Sequence, residues 1–109
     1  QQFLLQLGAT DRVLGLFINR LKEIGVYDKA LVVVVADHGA SFQPHTHRRG
    51  DIKHQAFFED VMSIPFFIKL PGKDQGVISD RRAETIDVVP TVLDVLGLDY
   101  KIQFDGYYV

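Results

Sequence analysis

The spacing of apolar residues predicts one amphipathic helix in the first quarter of the chain and another near its end. The first helix covers residues 10–25, where one face carries apolar side chains at i, i+3, i+4 and i+7, namely Leu14, Phe17, Ile18 and Leu21. We expect Thr10 to cap its start and Gly25 to end it in a left-handed conformation. The second helix begins near Asp87, a predicted cap, and ends at Gly97.

Two short apolar runs between these helices predict strands. Residues 30–36 are apolar at every position and rich in valine, a pattern typical of a strand inside a parallel sheet that helices cover on both faces. Residues 64–70 predict a second strand, and the polar stretch 41–55 predicts a loop. This order indicates an α/β fold with helix, sheet and helix layers and a mainly parallel sheet. The seven apolar residues at 30–36 are too few to cross a membrane, which takes about 20.

Composition narrows the class of protein. The chain has 109 residues, a length that fits a single domain over 1–109. Twelve Lys and Arg against 14 Asp and Glu give a net charge of −2, which argues against a nucleic-acid partner. The absence of cysteine excludes disulfides and thiolate metal sites.

The candidate chemistry starts directly after the first predicted strand. Asp37, His38 and Gly39 follow it, and ligands of open α/β sheets bind outside the carboxyl ends of strands. A carboxylate and an imidazole at that edge could hold a divalent metal, and Gly39 would allow a sharp turn and the close approach of a ligand. The alternative is that Asp37 caps the next turn and His38 makes a local hydrogen bond.

A cationic stretch follows this pair. All four histidines lie between positions 38 and 54, and residues 41–54 contain one acidic residue, Asp51. Cations beside a metal suit an anionic ester, because they neutralise charge that develops in the transition state. The candidate substrate contacts are His47, Arg49, Lys53 and His54. The alternative is a solvated basic loop without a ligand.

Four blocks in order resemble the sulfatase-like branch of the alkaline phosphatase superfamily. They are residues 11–15 with 21–39, which end in Asp37-His38-Gly39, residues 64–72, residues 85–97, and Asp105-Gly106. The resemblance implies an alkaline phosphatase-like fold and the hydrolysis or transfer of sulfate or phosphate esters at divalent metals. It implies that Asp37 and His38 are metal ligands. The block after Gly39 is most similar to bacterial membrane-anchored proteins of this branch, which implies a parent anchored in a membrane with an extracytoplasmic catalytic domain.

The chain departs from the family pattern at the nucleophile. In the family a Ser, Thr or modified Cys lies well upstream of the Asp-His-Gly block beside further acidic ligands, whereas 36 residues precede Asp37 here and show no such site. We therefore expect the C-terminal portion of a larger catalytic domain, inactive alone, with an incomplete site for Zn, Mn, Ca or Mg. The alternative is a non-catalytic scaffold or binding module. We also expect an exposed sheet edge to promote self-association.

Overall fold

The computed structural model describes residues 2–42 and 55–109, with side chains in the second range from Phe58 onward. In chain order the elements are α1 (Gln2–Glu23), a 3₁₀ turn (Tyr27–Lys29), β1 (Val32–Val35), α2 (Gln55–Met62), β2 (Phe66–Lys69), a second 3₁₀ turn (Thr85–Asp87) and α3 (Val88–Val95). Both predicted helices and both predicted strands are present. The chain divides into two compact units, Gln1–Leu31 with Lys69–Gly76, and Val32–Ile68 with Val77–Val109.

Helix α1 belongs to the first unit and begins earlier than the sequence predicts. The Thr10 hydroxyl donates to the carbonyl of Gln6 at 3.1 Å, so Thr10 lies inside the helix and the predicted cap at Thr10 is wrong. The predicted end is confirmed. Gly25 has φ 70°, and the amide of Val26 donates to the carbonyl of Leu21 at 3.0 Å, which is the Schellman arrangement.

Within the first unit, the side chain of Lys69 bonds to the turn that precedes β1. The Lys69 ammonium donates to the carbonyl oxygens of Tyr27, Asp28 and Ala30 at 2.6, 3.0 and 3.2 Å. It also lies 4.7 Å from the centroid of the Tyr27 ring, within the range of a cation–π contact. The Gly72 amide donates to the same Asp28 carbonyl at 2.7 Å. The turn before β1 is thus fixed to the segment at the end of β2.

Strands β1 and β2 pair in a two-stranded sheet. The Gly39 amide, just after β1, donates to the Val61 carbonyl, just before β2, at 2.7 Å. The end of β1 therefore lies beside the start of β2, and the pair is antiparallel. The sequence predicts a mainly parallel sheet. An apolar valine run indicates that a strand is covered on its faces, but it carries no information on the direction of the neighbouring strand. The four β1 valines are half-buried.

The carboxyl-terminal segment is fixed to the start of α3 within the second unit. The buried Asp87 carboxylate accepts the amide of Glu84 at 2.8 Å and the amide of Tyr107 at 2.7 Å. The predicted side-chain cap on α3 is wrong. The Asp87 carboxylate caps no amide of α3 and instead belongs to a capping box on the 3₁₀ turn Thr85–Asp87, whose cap residue is Glu84. Gly97 has φ 63° and ends α3 with the same arrangement of amides and carbonyls that ends α1, as predicted.

Candidate metal site

Asp37 and His38 lie just beyond the carboxyl end of β1, as the sequence predicts. The half-buried strand delivers them to the edge of the sheet, where the side chain of Asp37 is 88% exposed and that of His38 is 34% exposed. Both are therefore accessible to a ligand from solvent, the position in which open α/β sheets bind their ligands.

The hydrogen bonds of His38 fix which ring nitrogen is available. Nδ1 lies 2.7 Å from the carbonyl oxygen of Gly39. Because a carbonyl only accepts, Nδ1 carries the proton of the neutral ring and Nε2 presents its lone pair. Nε2 lies 3.6 Å from Oδ2 of Asp37, whose Oδ1 accepts the backbone amide of His38 at 3.0 Å. The local hydrogen bond that the alternative interpretation expected of His38 exists, and it leaves Nε2 available.

The separation of these two donors fits a shared divalent ion. Metal–ligand bonds to imidazole nitrogen and carboxylate oxygen are about 2.1 Å long, so two atoms 3.6 Å apart can contact the same ion. This donor pair suits Zn or Mn, and additional carboxylates would suit Ca or Mg. Within residues 2–42 and 55–109, no group of three His, Cys, Asp or Glu side chains is arranged to hold a metal.

Position 39 requires a glycine, because the backbone there lies in close contact with the end of α2. A Cβ at this position would overlap the carbonyl oxygen of Asp60 and would lie 3.1 Å from that of Val61 and 3.2 Å from that of Ser63. The sequence assigns the glycine to a turn and to ligand approach. In the structure its missing side chain allows the backbone after His38 to pack on residues 60–63.

Ser41 and Asp60 form a contact that sequence reasoning missed. Ser41 is 2% exposed, and its hydroxyl donates to Oδ2 of Asp60 at 2.7 Å. The two residues are 19 positions apart, one in a polar stretch and the other on a short helix. No local periodicity links positions so far apart, so the sequence offered no signal for the contact.

Comparison with known proteins supplies the family. A sequence model of the family named Sulfatase matches residues 2–98, most of the chain, including both candidate ligands. The chain belongs to the sulfatase family. This confirms the resemblance to the sulfatase-like branch, and the α/β class that it implies agrees with the helices and strands of the structure.

Curated relatives of this sulfatase-family chain are much longer than it is. It is 35% identical over 95 residues to lipoteichoic acid synthase of Staphylococcus aureus strain USA300, and equally to that of strain NCTC 8325. The matched region covers 84% of this chain and 15% of each relative. No solved structure matches the chain.

The other predicted features of this sulfatase-family chain were the substrate contacts and the lack of a membrane segment. His47, Arg49, Lys53 and His54 lie outside the described residues. In the part of the chain that the structure describes, no helix is both long enough and apolar enough to span a membrane.

Proposed function

We propose that this chain is part of a metal-dependent enzyme of the sulfatase family that acts on sulfate or phosphate esters, with Asp37 and His38 as ligands of a divalent ion. The observation that carries the proposal is the 3.6 Å separation between Nε2 of His38 and Oδ2 of Asp37 at the carboxyl end of β1. Family membership supports the reaction class, because the members of this branch cleave or transfer such esters.

Each residue has a defined task in this proposal. A bound divalent ion supplies Lewis-acid stabilisation of the charge that develops on the ester oxygens. Asp37 contributes a negative charge, and its Oδ1 is oriented by the amide of His38. The Gly39 carbonyl holds the proton on Nδ1 of His38 and so keeps Nε2 as the ligand atom. His47, Arg49, Lys53 and His54 are proposed to contact the anionic ester.

The remaining parts of the proposal concern the parent protein. We infer that the nucleophile and further metal ligands lie outside these 109 residues, so that the chain alone is inactive. The matched relatives are named as synthases, which favours group transfer over hydrolysis in the parent. A membrane anchor, an extracytoplasmic catalytic domain and a mainly parallel sheet in the whole domain follow from the resemblance and are proposed with it.

Self-association of the 109-residue chain through an exposed sheet edge is also proposed. Helix α1 contains no buried residue, and several of its large apolar side chains are exposed. Among them are Leu4, Leu5 and Leu16, whose exposed fractions are 67%, 75% and 62%. Apolar surface of this kind favours association with a second copy or with the rest of the parent domain. Size-exclusion chromatography of the 109-residue chain tests this, and a stable monomer in dilute solution would contradict it.

Titration of the 109-residue chain with Mn²⁺ and Zn²⁺ tests the metal site. Two ligands should give weak binding that Asp37→Asn and His38→Gln each abolish. Asp74→Asn, which removes an exposed carboxylate outside the site, should leave it unchanged. Binding that persists in both site variants would refute the assignment. Tight binding that depends on His45, His47 or His54 would favour the non-catalytic metal module instead.

The same site can be tested in the parent enzyme. Loss of a ligand removes several kcal/mol of charge stabilisation, so Asp37→Ala should lower kcat/KM by roughly 10²- to 10³-fold on a sulfate or phosphate ester. A variant with undiminished kcat/KM would show that Asp37 has no part in the chemistry.

A further inference from the structure

The end of α2 holds the segment that carries the proposed ligands. Three contacts within the second unit converge there. The Gly39 amide donates to the Val61 carbonyl at 2.7 Å, the α-carbon of Gly39 packs on the carbonyl of Asp60, and the Ser41 hydroxyl donates to the Asp60 carboxylate at 2.7 Å. The first two contacts use backbone atoms. The third is the one that depends on the chemistry of two side chains.

The Ser41–Asp60 contact has the features of a specific interaction. Ser41 is among the most buried side chains that the structure describes, and a buried hydroxyl costs free energy unless it is hydrogen-bonded. Asp60 is exposed, and water could satisfy its carboxylate. Its Oδ2 nevertheless accepts from Ser41, in a charge-assisted bond that is stronger than one between neutral groups. The pair therefore holds residues 37–41 against α2.

This contact connects directly to the geometry of His38. The Gly39 carbonyl that accepts from Nδ1 lies between His38 and Ser41 along the chain, and the Gly39 amide is bonded to α2. Movement at Ser41 would rotate the peptide groups on its amino-terminal side. Rotation of the Gly39 carbonyl would remove the group that keeps the proton on Nδ1.

We propose that Ser41 and Asp60 are positioning residues, whose hydrogen bond orients the Gly39 carbonyl and thereby keeps Nε2 of His38 directed toward Asp37. Neither residue touches the metal or the substrate in this assignment. The role in metal binding rests on the proposed function, whereas the effect on the His38 ring does not.

The first experiment reads the proton position on His38 without metal. Long-range ¹H–¹⁵N NMR of the 109-residue chain, in the neutral form of the imidazole, should show a proton on Nδ1 in the wild type. Ser41→Ala and Asp60→Ala should give a mixture of tautomers while the amide spectrum stays that of a folded chain. Asp60→Asn keeps an acceptor oxygen and should restore the wild-type tautomer. Ser63→Ala, an exposed serine at the same end of α2, is the matched control.

The Asp60→Ala variant allows the proposal to be tested even if Ser41→Ala does not fold. Asp60 is exposed, so its truncation leaves no internal cavity even if Ser41→Ala fails to fold. An unchanged His38 tautomer in folded Asp60→Ala would overturn the proposal. The double variant Ser41→Ala/Asp60→Ala should be no worse than either single variant, because both remove the same bond. Additive effects would equally overturn the proposal.

The second experiment measures metal affinity in the same variants. Loss of the positioning bond should weaken Mn²⁺ binding about tenfold, the lower end of what partners of metal ligands contribute, with recovery in Asp60→Asn. Absence of Mn²⁺ binding in the wild type would refute the proposed metal site and leave the tautomer result as the test of positioning. Wild-type affinity in Asp60→Ala would refute the role of the pair in metal binding.

Discussion

Substitution of Gly39 by alanine tests the close contact between the candidate site and α2. The new Cβ would overlap the Asp60 carbonyl oxygen and lie 3.1 Å from the Val61 oxygen, so the backbone must move. Overpacking of this kind costs about 1–3 kcal/mol. Movement would also break the 2.7 Å bond from the Gly39 amide to Val61, for about 1 kcal/mol more. Alanine also lowers the conformational entropy of the unfolded chain, which offsets about 0.5–1 kcal/mol of the destabilisation. We expect a net loss of about 1–3.5 kcal/mol, with a central value of about 2 kcal/mol.

Urea denaturation of the 109-residue chain, followed by circular dichroism, measures this loss. A domain of this size shifts by about 4–8 °C in Tm per kcal/mol, so thermal melting should show a decrease of roughly 10–20 °C. Gly76→Ala is the matched control, since its Cβ would meet nothing within 4 Å. It should change stability by less than about 1 kcal/mol. Equal stabilities of the two variants would refute the claim that Gly39 is needed for close packing.

Three further substitutions test contacts outside the candidate site, each read by the free energy of unfolding in urea. Gly106→Ala should cost about 1–3 kcal/mol, because its Cβ would overlap the carbonyl group of Ile86 and lie 2.9 Å from the amide nitrogen of Asp87, and a neutral effect would contradict this packing. Asp87→Asn should cost about 2 kcal/mol, because an amide group replaces Oδ2 and the backbone amide of Glu84 loses its acceptor. The amide of Glu84 should then exchange faster with solvent, whereas Oδ1 still accepts from the amide of Tyr107. Lys69→Met keeps the apolar stem but removes three hydrogen bonds, so it should cost about 2 kcal/mol, whereas the exposed Lys73→Met should have no effect.

Local features of the fold could be predicted from the sequence. Gly25 and Gly97 each follow an amphipathic run, and both adopt the positive φ that ends a helix, because glycine alone takes that conformation without steric cost. The valine run likewise predicted β1 from a local preference, because β-branched side chains are favoured in strands. The position of Asp37 and His38 at the end of β1 followed once the strand was known.

Features that depend on distant positions could not be predicted. The direction of β2 relative to β1 depends on the chain between them, and valines are equally suited to either direction. The Ser41–Asp60 bond joins residues 19 positions apart. The start of α1 was misplaced because Thr10 satisfies its hydroxyl equally well by bonding back to Gln6 inside a helix.

The Ser41–Asp60 bond also has a consequence for evolutionary change. It ties together two points 19 positions apart, and the proposed substrate contacts lie between them in the sequence. The entropy cost of closing a loop rises slowly with its length, by about 0.6 kcal/mol for each doubling. Insertions, deletions and exchanged sequences between the two residues should therefore alter substrate choice with little effect on the metal ligands. The arrangement would let specificity diverge among relatives while the metal chemistry stays the same.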